Sequence, residues 1–275
     1  MKRRLFAFSF ITLALLLLAL VVSWPVISDD RRPDRNQDRY DEDDDGDDGE
    51  EIPFDEASIF LELNHTDGDL GIHAFVDGDA WAQLEIESPN EREQLKIMAK
   101  GSLRRHGLTE LFFESDEPKF PDDLTLDEFF ARFPAGEWEI SGVTTEGDEL
   151  ESLVELSHVL AAPPANVMVN DQPAAESCDV RPLPVVREPV TIRWDTVTLS
   201  HPTVGEPGLV VVDRYQLIVE RGEEELTFSV DLPPDVTSFA LPEDLTALAD
   251  EFKFEIIVRT DTGNQTAVES CFEIE

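Results

Sequence analysis

What most restricts the folds open to this chain is the period of its apolar residues, which from Ile52 onward is mostly two. Ile59, Leu61 and Leu63 alternate with Phe60 and Glu62, Leu84 and Ile86 alternate with Glu85 and Glu87, and Leu95, Ile97 and Ala99 keep the spacing. A strand sends successive side chains to opposite faces, so each such run buries one face and wets the other. Trp138 and Ile140 mark another strand, and Leu150 to His158 the next, joined through Glu146-Gly147-Asp148, a hairpin signal. Many short strands at close spacing, separated by Gly and Asp turns, predict a β-sandwich over residues 52–163.

One segment departs from that period. Thr125 and Glu128 have capping-box spacing, and Leu126, Phe129, Phe130 and Phe133 fall on one face before Pro134. A short helix is expected there, its aromatics plugging the open end of the sandwich, with a solvent-facing ligand platform as the alternative. Two Asp-Gly-Asp triplets, Asp67 to Asp69 and Asp77 to Asp79, flank the strand Leu70 to Val76. At about 3.3 Å per residue, an extended segment holds their equivalent positions roughly 33 Å apart, too far for one shared metal site. Each triplet therefore reads as a turn. This half resembles uncharacterised exported bacterial proteins, a resemblance that implies no function.

The clearest alternation lies in residues 176–275, which follow a linker at 164–175. Val190, Ile192 and Trp194 point inward, as do Tyr215, Leu217 and Val219, then Phe228, Val230 and Leu232. Phe239 and Leu241 precede Leu245; Phe254, Ile256 and Val258 lead through the turn at Thr260 to Gln265 into Val268, Phe272 and Ile274. The order of a Trp on the second strand (Trp194), a Tyr on the third (Tyr215), and an aromatic-x-Ile-x-Val run with Gly263 beyond it resembles a fibronectin type III domain. The resemblance covers about the last 90 residues and implies a spacer or a binding module; fold alone decides neither. At Phe254 the family usually has a Tyr whose hydroxyl secures a corner, so that bond is absent here. No Arg-Gly-Asp occurs, and the family's integrin contact does not carry over.

Fold class is thus expected to be all-β: two immunoglobulin-like sandwich domains in tandem, behind an N-terminal hydrophobic helix and a disordered acidic tether. Lys2, Arg3 and Arg4 precede an apolar run from Leu5 to Val22, a signal for membrane insertion with the basic end in the cytoplasm. Residues 1–28 are either a signal anchor, favoured by their length and by Trp24, or a signal peptide cleaved after Ser23. Residues 29–51 carry 13 acids against 4 Arg and cannot offset their ordering entropy by burial. Asp41, Asp43, Asp45 and Gly46 copy the first half of a calcium loop, but Ile52 stands where a bidentate Glu is required.

The formal net charge is −40; removing +3 for residues 1–28 and −9 for residues 29–51 leaves −34 on the remainder. Such a field repels nucleic acid and anionic membrane surfaces. The two cysteines, Cys178 and Cys271, either form a bridge in an oxidising compartment or stay unpaired or intermolecular. Cys271 is one position out of phase with Phe272 and should point away from the core. His65, His73, His106, His158 and His201 are scattered, so no metal site, cofactor or catalytic residue is expected from spacing. Asn64-His65-Thr66 and Asn264-Gln265-Thr266 fit the glycosylation sequon.

The expected role is a non-enzymatic exported protein of the cell envelope. It would be anchored facing the periplasm or cell exterior, or secreted if the leader is removed, and would make protein–protein, adhesion or scaffold contacts with a partner of unknown identity. One alternative is a carbohydrate-binding module, which requires Trp81 or Trp138 to be exposed. Another is a hydrolase, which requires a concave carboxylate cluster with displaced pKa values.

Overall fold

A computed structural model describes residues 52–221 and 226–275. The N-terminal apolar segment and the acidic tether lie outside the described residues; among those described, no helix is long and apolar enough to cross a membrane.

Strand β1 (Glu56–Asn64) pairs antiparallel along its length with the start of β2 (Asp69–Ser88). The helical turn α1 (Ser102–His106) separates β3 (Arg92–Met98) from β4 (Leu108–Glu114). Beyond helix α2 (Leu126–Arg132), β5 (Gly136–Thr144) and β6 (Glu149–Leu156) form a hairpin. The 20-residue β2 serves both layers of this sandwich. Up to Asp77 it lies between β1 and β4, and from Trp81 it pairs with β3 and β5.

The second Asp-Gly-Asp triplet, expected as a turn, is instead where β2 passes from one layer to the other, with a register shift between Asp77 and Trp81. A Cβ at Gly78 would lie 3.0 Å from Phe54 Cδ1, so a residue without one lets the strand bend past Phe54 and continue. The first triplet does begin in a turn, with Gly68 at φ 75°. The helix forms where the capping box placed it: Glu128 N–H donates to Thr125 Oγ1 (3.3 Å), and Thr125 N–H donates to Glu128 Oε2 (3.2 Å). Its Phe129 is buried against the rings of Phe120, Phe130 and Phe133, plugging the first core as expected.

The second half contains β7 (Met168–Val169) and β8 (Gln172–Pro173), both inside the stretch expected to be a linker. It continues with β9 (Val185–Val186), β10 (Thr191–Arg193), β11 (Val212–Arg221), β12 (Thr227–Leu232) and β13 (Ser238–Ala240). After the helical turn α3 (Glu243–Thr246) come β14 (Glu251–Thr260) and β15 (Gln265–Ile274). One sheet has the order β13-β10-β7-β8; facing it is β12-β11-β14-β15, the strand order of a fibronectin type III sandwich. Trp194 meets Tyr215 edge-on between them, with centroids 5.4 Å apart. Phe254, at the family's Tyr position, is buried beside Phe272, so packing is kept without the hydroxyl. A buried hydroxyl bond comes instead from Tyr215, whose Oη accepts from Val197 N–H at 2.9 Å.

The two halves have separate hydrophobic clusters, one drawn from Phe54 to Leu160 and the other from Ala161 to Phe272. Yet they share one sheet. β1 runs parallel to β15, with Glu62 beside Gln265, Leu63 beside Thr266 and Asn64 beside Ala267, giving a continuous order from β12 to β6. Side chains bind the seam. Asn264 accepts from Leu61 N–H (2.8 Å) and donates to the carbonyls of Ser157 (2.8 Å) and Val159 (3.0 Å), while Thr266 donates to Ala161 O (2.9 Å).

Cys178 and Cys271 are joined, with Cα atoms 4.9 Å apart. Cys271 lies on the side of β15 away from Phe272 and the second core, as its phase requires, but it is not left in solvent.

Candidate functional site

Directly paired residues share a face of a sheet, so register decides which polar groups meet. Across β1 and β2, Glu62 pairs with Gly71 and Phe60 with His73. These lie opposite Leu61 and Ile72, on the outer side of the first sandwich. On the same face Glu62 pairs with Gln265 of β15, Gln265 with Arg259 of β14, and Arg259 with Arg214 of β11. A polar line therefore crosses the seam between the halves. The Gln265 amide, oriented to satisfy both neighbours, donates to Glu62 Oε2 (2.9 Å) and accepts from Arg259 Nη1 (3.2 Å). Arg259 Nη2 donates to Gln216 Oε1 at 2.8 Å.

Glu117, beyond β4, folds back over this face. Its Oε1 lies 3.3 Å from His73 Nε2, and it occupies the space a side chain at Gly71 would fill: a Cβ there would stand 2.8 Å from Oε1. The His73 side chain is 3% exposed and held between the rings of Phe60 (5.3 Å) and Phe112 (5.9 Å). One ligand atom from each of Glu62, His73 and Glu117 lies within 4.8 Å of the others.

Burial pushes the Glu62 carboxyl up, the His73 charge opposes this and Glu117 adds to it. Burial lowers the His73 imidazole, but the hydrogen bond to Glu117 and the charges of Glu62, Glu117 and Glu114 outweigh it, so its pKa is raised. Asp69 is pushed up to about 7 by burial, then by Glu117 and Asp67. Further along the same face, burial raises Glu255 well above the usual carboxylate range, with Glu62 and Glu269 reinforcing it. The face holds negative charge at a cost and favours positive counter-charge.

A second polar cluster joins His65, in the turn after β1, to His201. Thr203 and Val204 donate backbone N–H groups to His201 Nδ1 (3.3 and 2.9 Å), which leaves its proton on Nε2, 3.1 Å from His65 Nδ1. Burial and then His65 lower the His201 pKa to about 4. The pair lines a cleft of about 530 Å³ together with Phe120, Leu126 and Val204.

The other residues singled out from sequence find structural places. Trp81 and Trp138 are 0% and 2% exposed, and the Trp138 indole N–H donates to Pro134 O at 3.0 Å. Neither is exposed on a sheet face, as sugar stacking required. Both sequon asparagines are engaged: Asn264 is 0% exposed, and Asn64 accepts from Thr66 and Asp67 N–H and donates to Glu269. His158 Nε2 lies 2.7 Å from Phe133 O, and His106 is exposed. The Glu62, His73 and Glu117 grouping was missed because its members share no local motif. The available signal was a His within the otherwise apolar Ile72 to Val76 run, on a strand covered on both faces.

Strand order defines the class: a β-sandwich protein whose second half is fibronectin type III-like. No family model matches the chain, and no curated protein matches it in sequence. Among solved structures it is similar to the chicken CNTN1 FN1-FN3 domains, with 9% identity over 81% of this chain and TM-score 0.33; it spans 65% of that chain. It is also similar to a two fibronectin type-III domain segment of chicken tenascin, with 11% identity over 79% of this chain and 97% of that one, TM-score 0.28. A third similar structure, of a bacterial ice-binding adhesin, has 10% identity over 82% of this chain and 66% of that one, TM-score 0.24.

Proposed function

We propose that this is a non-catalytic, exported module of the cell envelope that presents two linked sandwiches, their cores dividing at Leu160 and Ala161, for contact with another protein. The observation that carries this reading is the shared sheet. Pairing β1 with β15 and burying Asn264 at the seam holds two cores in one unit, as a spacer or docking scaffold requires. The Cys178–Cys271 bridge fits an oxidising compartment. In this reading the apolar N-terminal segment directs export and the acidic stretch at 29–51 sets the module off the membrane, while the charge of −34 beyond it keeps the surface soluble and turns away phosphate-rich polymers.

Fractionation of cells, with N-terminal sequencing and thiol titration of the recovered chain, tests this. The expected result is an envelope or secreted pool without reactive thiols. Recovery from the cytosol with Met1 retained and both thiols free refutes it.

A further inference from the structure

The outer face of the seam carries a group of side chains that the module reading leaves unused. We propose that Glu62, His73 and Glu117 bind a single first-row divalent cation, with zinc the best fit, where the two sandwiches share their sheet.

The donor set is one imidazole nitrogen and two carboxylate oxygens, all ligand types that zinc accepts, and three protein donors is the number found in zinc sites that keep an open position. Calcium and magnesium prefer oxygen alone, so the histidine argues for a softer ion. Distances agree. Ligands at about 2.0 to 2.1 Å from a tetrahedral zinc lie roughly 3.3 Å from one another, and His73 Nε2 and Glu117 Oε1 stand 3.3 Å apart. The third donor, on Glu62, is within 4.8 Å of both.

Each ligand is also held from behind. Phe60 and Phe112 fix the His73 ring, Gln265 donates to Glu62, and bare Gly71 leaves the floor open for Glu117. Outer contacts of this kind orient ligands and tune affinity. The Glu117 side chain is 28% exposed, so the site opens toward solvent and leaves a fourth position for water or for a side chain from a bound partner. Glu114 adds negative charge nearby, which a dication would offset.

The test uses the full chain, stripped with chelator and titrated with Zn²⁺ by calorimetry at neutral pH, with Mn²⁺ and Ca²⁺ in parallel. One Zn²⁺ per chain is expected, bound at least tenfold more tightly than Ca²⁺, with a raised Tm. His73→Phe fills the slot between Phe60 and Phe112 and should weaken Zn²⁺ binding at least tenfold. Gly71→Ala changes no ligand but displaces Glu117, and should do the same. Glu155→Gln removes one charge from an exposed position on β6 and should leave binding unchanged.

X-ray absorption on the zinc-loaded chain separates this site from the acidic stretch at 29–51, which contains no His. An imidazole signal that His73→Phe removes supports the proposal. A signal that survives in that variant, or binding equal in wild type, His73→Phe and Gly71→Ala, overturns it. So does the absence of a one-site isotherm, which would leave His73 and Glu117 as a simple ion pair. Failure here leaves the module reading intact, since export and thiol state do not depend on the metal.

Discussion

Replacing Asn264 with Ala should remove a large share of this protein's stability, although the residue belongs to neither hydrophobic cluster. Its amide makes three hydrogen bonds at 0% exposure: Leu61 N–H to Oδ1, and Nδ2 to the carbonyls of Ser157 and Val159. Alanine leaves one buried donor and two buried acceptors without that partner. Each stranded group costs about 1–3 kcal/mol, with carbonyls at the lower end, so Asn264→Ala should destabilise by about 3–6 kcal/mol. That is comparable to a large part of the ~5–15 kcal/mol that holds a typical domain.

Asn264→Asp keeps the acceptor for Leu61 but turns an oxygen toward two carbonyls and buries a charge. It should be at least as damaging at neutral pH. Urea unfolding of the full chain, followed by the fluorescence of buried Trp81, Trp138 and Trp194, reads both effects. A loss under about 1 kcal/mol for Asn264→Ala, at unchanged m-value, would refute the reasoning, because a group so placed cannot be lost cheaply unless water replaces it.

Three other outcomes are expected. His201 has its pKa lowered from 6.5 to about 4, so its neutral form is the one the fold favours; the associated stability is full above pH 6.5 and is lost as pH falls toward 4, by about 1–2 kcal/mol once solvent screening of the ring is allowed for. His65 is its titratable contact, and a His201→Gln chain with the same acid slope as wild type in urea melts from pH 7 to 4 would count against this. Replacing Cys178 and Cys271 together by Ala should cost about 4–5 kcal/mol in the chain-entropy model, from a separation of 93 residues, with reductant shifting the urea midpoint of wild type but not of the variant. Tyr215→Phe removes the acceptor of Val197 N–H and should cost about 1–3 kcal/mol, with Trp194 packing and the far-ultraviolet dichroism unchanged.

Much of the layering could be read along the chain, because a period of two states which side of each strand is dry. Leu61, Leu63, Leu84, Ile86, Trp138, Ile140, Val190, Ile192, Trp194 and Leu217 are all buried where that period put them. The capping box at Thr125 and the aromatic face of α2 were equally local, since they depend on residues within two helical turns. Alternation says nothing, however, about which strand lies beside which. Backbone groups pair through hydrogen bonds that are blind to side-chain identity, so the junction of β1 with β15, about 200 residues apart, left no periodic mark.

The same limit hid the polar face at the seam. Glu62, His73 and Glu117 meet only through cross-strand register and a returning loop, and two of the three are ordinary acids in a chain with 61 Asp and Glu. Asp77 to Asp79 misled for a related reason: the composition of a turn also suits a bend inside a strand, and only the closeness of Phe54 to Gly78 selects between them. Asn264 looked like a sugar acceptor by sequence, and tertiary contact made it a buried tie. Short-range chemistry thus determined which side of each strand enters a core and where the α2 helix starts, while long-range packing covered the outer faces of β1 and β2 and decided which polar groups meet there.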